Sequence, residues 1–131
     1  AVGVAQMKKI KQILKKKNHI YKFYKKNLTS SKIVFPKIHK KVINSHWLVV
    51  FRLKKRKLRN KLISYLNKNN IETRPSFYLI HEMKMYKKNF NLINSNEVSN
   101  NGICLPSYPN LSKNQLVYVV NKIRNFLKEN G

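Results

Sequence analysis

Apolar residues recur at Ile10, Ile13, Leu14, Ile20, Tyr21, Tyr24 and Leu28, in steps of three, four and seven, with lysines between them. That spacing puts them on one face of a helix, and it predicts one long helix over residues 1–28. Ala1-Val2-Gly3-Val4-Ala5 offers no Ser, Thr, Asp or Asn to cap it, and there is no initial Met. Both features lead to the expectation that the chain begins inside a longer element. Residues 33–35, ahead of Pro36, read as a short edge strand. Residues 45–53 are β-branched and aromatic and apolar on both faces, which predicts a central strand. Trp47 and Phe51 are expected in the core there. His46 alternates with Trp47 and points the other way, as a structural histidine.

Residues 55–69 predict a second helix, with Leu58, Leu62, Tyr65 and Leu66 on one face. Asn69-Asn70 can end it, because Asn tolerates the left-handed conformation. Residues 71–74 then read as a short strand stopped by Pro75. Residues 76–90 read as a loop with one helical turn. A short helix over 95–101 is expected to end at Gly102, and residues 103–105 to continue as a buried strand before Pro106. The last helix has the plainest start. Ser112 and Gln115 form a capping box, flanked by Leu111 and Leu116 as a hydrophobic staple. Leu116, Val119, Val120, Ile123 and Leu127 make its buried stripe. The order α-β-β-α-β-α-β-α predicts an α+β domain over residues 1–131, its helices packed on one side of a small mixed or antiparallel sheet.

Composition narrows the function. The apolar share of 42% suits a folded domain. No apolar run reaches the roughly 18 residues of a membrane span, and no secretory pattern opens the chain. Cys104 is the only cysteine, so no internal disulfide forms, which suits the cytoplasm. The four histidines show no ligand spacing, so no metal site is expected. The chain has no Asp, which removes a Ser-His-Asp triad. The net charge of +25 invites an alternative reading as a small basic nucleic-acid-binding domain. The run Lys54-Lys55-Arg56-Lys57-Leu58-Arg59, at a helix N-terminus where cations oppose the dipole, is its best support. Lys, Asn and Ile are enriched together, however, and they share A/T-rich codons. A selected basic groove would enrich Arg, the better phosphate ligand, yet only Arg52, Arg56, Arg59, Arg74 and Arg124 are present. Codon drift is the favoured account, with no specific nucleic-acid partner.

Five segments in order resemble the C-terminal part of the DegT/DnrJ/StrS sugar aminotransferases, over essentially the whole chain. Ala1-Val2-Gly3-Val4-Ala5-Gln6-Met7-Lys8-Lys9-Ile10 is similar to that family's A-x-G-x-A-Q-L-x-K-I helix, and Asn44-Ser45-His46-Trp47 to its N-S-x-W strand opening. Asn70-Ile71-Glu72-Thr73-Arg74-Pro75-Ser76-Phe77-Tyr78 is similar to G-I-E-T-R-P-x-F-Y-P. His81-Glu82-Met83-Lys84-Met85-Tyr86 is similar to H-x-M-P-M-Y, and Leu105-Pro106-Ser107-Tyr108-Pro109 with Leu111-Ser112 to L-P-S-Y-P-x-L-T. The R-P-x-F-Y version looks most like the perosamine-synthase branch. Leu79 and Lys84 replace prolines of the family pattern, which loosens that loop.

The resemblance implies the small C-terminal domain of a fold-type I aminotransferase, with residues 1–28 leading in from a larger preceding domain. It implies pyridoxal 5'-phosphate as cofactor, glutamate as amino donor and a GDP-linked 4-keto-6-deoxy sugar as acceptor, in a cytoplasmic homodimer. The family's Schiff-base lysine and pyridine-binding Asp belong to the large domain. The chain is therefore expected to bind no cofactor, carry no catalytic residue and be inert alone. The substrate-binding residues implied are Arg74, Phe77, Tyr78 and His81. For Arg74 two readings stand, a guanidinium facing a donor carboxylate or nucleotide phosphate, and a solvated arginine at a strand end. Phe77, Tyr78 and His81 line a sugar-nucleotide entrance on one reading and cap the core on the other.

Overall fold

The structure, a computed structural model, describes residues 2–86, Phe90 and residues 92–130. Its centre is β2 (Val49–Leu53), where Val49, Phe51 and Leu53 are buried and Val50 and Arg52 half-buried. That alternation marks one face turned to the core. Ile33 of β1 (Ile33–Val34) pairs with Leu53, and Phe51 pairs with Ile103 of β4 (Gly102–Leu105). On the outer side of β4 lies β3 (Arg74–Pro75), with Arg74 opposite Cys104. The order is β1-β2-β4-β3 and every pairing is antiparallel, so the sheet has no parallel pair among the described residues. The core unites Ile20 and Tyr24 of α2 (Ile10–Asn27), Leu62 and Leu66 of α3 (Arg56–Lys68), and Leu116 and Ile123 of α5 (Lys113–Glu129) with Phe51 and Ile103. The α5 capping box forms as expected: Gln115 N–H donates to Ser112 Oγ at 3.2 Å, and Ser112 N–H donates to Gln115 Oε1 at 2.9 Å.

Several expectations are corrected. The first helix is interrupted: α1 (Val2–Lys8) ends at Lys9, whose N–H turns back to the Gln6 carbonyl at 3.0 Å before α2 starts. No residue of α1 is buried, so no packing holds the two pieces in line. Ala1, the expected start, lies outside the described residues. The central strand begins at Val49, four residues late. Asn44 Oδ1 accepts the His46 N–H at 2.7 Å, and His46 adopts a left-handed φ of 49°. This side-chain turn breaks the extended run and leaves Trp47 67% exposed, not in the core. Phe51 is buried as expected, and His46 is buried by stacking on Tyr21 at 4.0 Å.

Residues 71–73 are not strand. Ile71 N–H donates to Leu66 O and Asn70 N–H to Asn67 O, each at 3.0 Å, with Asn70 at φ 57°. This is a complete Schellman motif with Ile71 and Leu66 both buried, so the helix end uses the residues the strand would have used. The loop after Pro75 holds two 3₁₀ turns, Ile80–Glu82 and Lys84–Tyr86, rather than one; residues 87–89 lie outside the described residues. The short helix α4 (Ile93–Asn101) starts two residues early. Its Glu97 pairs with Arg52 at 2.9 Å, on the side of β2 away from Phe51, so the helices are not all on one side of the sheet. Gly102 does end α4, but in extended conformation at φ −78°. Its smallness serves close approach: a Cβ there would collide with the Val98 carbonyl and lie 2.7 Å from Ser76 Cβ.

Candidate functional site

Beyond the C-terminal end of β4 the chain passes through Pro106, Ser107 and Tyr108 before α5 begins. A cleft of about 800 Å³ opens there, between this segment, the start of α5, the segment leading into β3 and the turn ahead of β2. Its polar lining includes Lys17, Glu72, Arg74 and Tyr118, and Trp47 stands on its wall. The Schellman turn at Asn70 aims residues 72–74 along this wall. Glu72 Oε1 accepts from both Nε and Nη2 of Arg74, at 3.1 and 2.8 Å. Both side chains are largely exposed, so the pair orients the guanidinium and contributes little to stability. Cys104, paired with Arg74 across the strands, is half-buried. Burial pushes its thiol up, and the nearby guanidinium only partly offsets this, so the sulfur rests as a thiol rather than a nucleophilic thiolate.

On the opposite wall, Lys17 Nζ donates to the Trp47 carbonyl at 2.8 Å, and burial lowers the ammonium's pKa. Tyr24, buried beneath, donates its hydroxyl to the Pro106 carbonyl at 3.0 Å, and burial raises its pKa. Tyr118 O–H closes the rim on the Asn69 carbonyl at 3.2 Å. The cleft therefore offers one oriented cation, hydrogen-bonding groups and aromatic faces. It suits holding an anionic ligand with ring groups. Among the described residues no three of His, Cys, Asp or Glu gather as metal ligands.

The structure treats the four expected site residues differently. Arg74 lines the cleft. Phe77 stands just outside it and stacks on Trp47, with ring centroids 6.0 Å apart and an interplanar angle of 23°. Tyr78 is exposed and His81 half-buried in the first 3₁₀ turn, and neither lines the cleft. Sequence reading missed Glu72, Lys17, Tyr118 and Trp47. Glu72 was findable: in an extended segment, residues two apart point the same way, so a Glu two before an Arg is a ready partner. Arg59, in the basic run, is 5% exposed with Nε unpartnered, so that run presents four cations to solvent rather than five.

A family model described as the DegT/DnrJ/EryC1/StrS aminotransferase family matches residues 1–124. GDP-perosamine synthase of Escherichia coli O157:H7 is 32% identical over 130 residues, which are 98% of this chain and 35% of that protein. GDP-perosamine synthase of Vibrio cholerae is 34% identical over 133 residues, 96% of this chain and 36% of that protein. The aminotransferase TlmJ from Streptoalloteichus hindustanus superposes with a TM-score of 0.88 at 18% identity, covering 98% of this chain and 35% of that one. A putative sugar aminotransferase from Streptococcus pneumoniae, in its PLP form, gives 0.82 at 20% identity, covering 97% and 34%. At those identities the likeness shows the fold. The chain spans about a third of the length of these relatives.

Pyridoxal phosphate needs a lysine amine free to condense, an acid at the pyridine nitrogen and donors around the phosphate. In the cleft, Lys17 is engaged by the Trp47 carbonyl and Glu72 by Arg74, and the chain has no Asp. The groups lining this cleft do not supply that set.

Proposed function

Because the chain belongs to the DegT/DnrJ/EryC1/StrS aminotransferase family, we propose that it is the substrate-facing small lobe of an enzyme that transfers an amino group from glutamate to a nucleotide-linked 4-keto-6-deoxy sugar. Pyridoxal phosphate and its Schiff-base lysine are then held by protein other than these 131 residues, and the chain alone is inert. The observation that carries this reading is the family match over residues 1–124; the names of the two perosamine synthases support the choice of acceptor. In this reading the enzyme is a homodimer in the cytoplasm and recognises no nucleic-acid sequence. Among the described residues no helix is long and apolar enough to cross a membrane.

The chain's own contribution is binding and orientation. Arg74, held by Glu72, meets a carboxylate or phosphate from the cleft wall. Phe77 stands at the rim, and Tyr78 and His81 meet parts of a ligand that extend past it. The test joins this chain to the N-terminal part of the Vibrio cholerae perosamine synthase and measures transamination. Arg74→Ala is expected to lower kcat/KM about ten- to a hundred-fold, the loss of a charge-assisted contact. Arg74→Lys restores part of it, since an ammonium cannot make the bidentate fork, and Tyr78→Phe costs less. If Arg74→Ala leaves kcat/KM untouched, or lowers it only as far as it lowers the melting temperature, Arg74 is structural. If the joined protein transaminates no keto sugar, the functional reading fails.

A further inference from the structure

We propose that the N-terminal end of α3 is a binding site for a phosphate group, held by the Arg59 guanidinium and the backbone N–H groups of the helix's first turn, with Arg56 and Lys57 beside them. The site needs no transaminase chemistry and goes beyond the substrate reading of the cleft. Because β2 runs antiparallel to β4 and α3 follows β2, this end of α3 and the cleft beyond β4 sit at opposite ends of the sheet.

Arg59 carries the proposal first. It is 5% exposed, and its Nε meets no acceptor. A guanidinium keeps its charge at any physiological pH, so this is a buried cation. Among the described residues the ion pairs are Arg52 with Glu97 and Arg74 with Glu72, and neither includes Arg59. Burial pushes its pKa down, the like charge of Arg56 adds to this, and only the Tyr78 hydroxyl pushes the other way. A phenol is uncharged at neutral pH, so Tyr78 does not neutralise it. A buried charge without its opposite is strongly destabilising, and an anion at Arg59 removes that cost.

The helix end points to the same ligand. The N-cap residue of this 13-residue helix, Lys55, makes no side-chain cap, and the first turn holds no acidic residue. Arg59 N–H donates to the Lys55 carbonyl at 3.1 Å, and the N–H groups of Arg56, Lys57 and Leu58, one turn earlier, have no helical acceptor. Those amides and the positive end of the dipole favour an anion. Arg59 is the fourth residue of α3. Helical side chains lean toward the N-terminus and lie over the preceding turn, which directs its guanidinium to this end. Unbonded amides and an unpartnered guanidinium therefore converge.

Codon drift explains the lysines of this run, but it does not enrich Arg, and two of the chain's five arginines stand in this one turn. A phosphate suits them better than a carboxylate does. It carries up to two charges and three terminal oxygens, enough for a guanidinium and the amides together.

Thermal melts of the chain in sodium phosphate are compared with melts in sodium chloride of equal ionic strength. Phosphate is expected to raise the melting temperature saturably, and calorimetry to give one phosphate per chain. Arg59→Met keeps an apolar stem and loses the charge. It should weaken phosphate binding about ten- to a hundred-fold, the worth of a charge-assisted contact. Lys26→Met removes an exposed charge of α2 and should leave that binding unchanged. Lys55→Asp decides the matter even where Arg59→Met does not fold. Its carboxylate supplies the anion from within the chain, so the variant should melt above the parent in chloride and gain less from phosphate. Glycerol phosphate then distinguishes the sources: tighter binding than inorganic phosphate assigns the site to a phosphate ester, equal or weaker binding to the free ion. The proposal is overturned if phosphate stabilises no more than chloride, or if Lys55→Asp gains as much from phosphate as the parent. It is equally overturned if Lys26→Met weakens phosphate binding as far as Arg59→Met does, which would mean diffuse attraction to a chain of net charge +25.

Discussion

Two stretches of this chain are rich in large apolar side chains and end in opposite environments. In α5, Leu116, Val119, Val120, Ile123, Phe126 and Leu127 are all buried. Across residues 76–86, Phe77, Tyr78, Ile80, Met83, Met85 and Tyr86 are all exposed, and only Leu79 among the large apolar side chains is buried. Hydrophobicity does not separate them. In α5 the apolar positions keep the helical period, and a capping box sets the phase, so one rotation buries them together. The loop has no period: two short 3₁₀ turns point successive side chains in different directions, and no single orientation can bury them. The contrast teaches that the first stretch serves stability, and the second is free to meet a ligand or another surface.

The largest test of that contrast is a matched pair of truncations. Ile123→Ala removes a fully buried side chain and is expected to cost about 2–5 kcal/mol of stability in urea denaturation. Met85→Ala, 79% exposed, is expected to stay within about 0.5 kcal/mol. Comparable losses would mean that the loop is packed after all. Next comes Gly102→Ala, which lies against the first residue of the loop. The added methyl meets the Val98 carbonyl and the Ser76 side chain, so a loss of about 1–3 kcal/mol is expected. Ser76→Gly in the same chain should recover part of it, and no recovery would place the clash wholly on Val98.

Ser112→Ala sharpens the α5 side. Losing the cap should lower stability by about 1 kcal/mol, with the circular dichroism of the folded chain unchanged. An unchanged denaturation midpoint would show that packing alone holds the first turn. The smallest effect expected is a pH dependence from His46. Burial, with a smaller push from Lys22, holds its imidazole below the ordinary histidine range. The folded chain then binds fewer protons than the unfolded chain just below the ordinary value. The stability this group contributes is full above that value and falls as pH drops through the window down to the lowered one. Thermal melts from neutral to mildly acidic pH should show the decline, and His46→Phe should flatten it. An equal decline in that variant would assign the effect to other groups.

Much of the fold was legible because its signals are local. The face of α3, the stripe of α5, the Ser112 box, the Asn70 turn and the edge position of β1 each depend on residues within a turn of one another. Of the four residues the family resemblance pointed to, Arg74 alone lines the candidate cleft. Glu72 was within reach as well, because residues 71–74 read as extended and residues two apart in an extended segment point the same way. Trp47 was misplaced because its neighbours read as continuous strand, and a turn formed by the Asn44 side chain is not visible in an apolar pattern.

The sequence by itself determined the order of the strands and main helices, the α+β class and most residues of the core, because periodicity and capping act through bonds between near neighbours. Only the tertiary structure decided that the sheet is antiparallel throughout, that Arg59 is buried while Trp47 is not, and that Arg74 meets a cleft wall rather than open solvent. Those outcomes depend on what distant segments bring to the same place: Lys17 from α2 on the Trp47 carbonyl, Tyr21 under His46, and β4 beside β3. Burial belongs to a pair of surfaces, and one stretch of sequence carries only one of them.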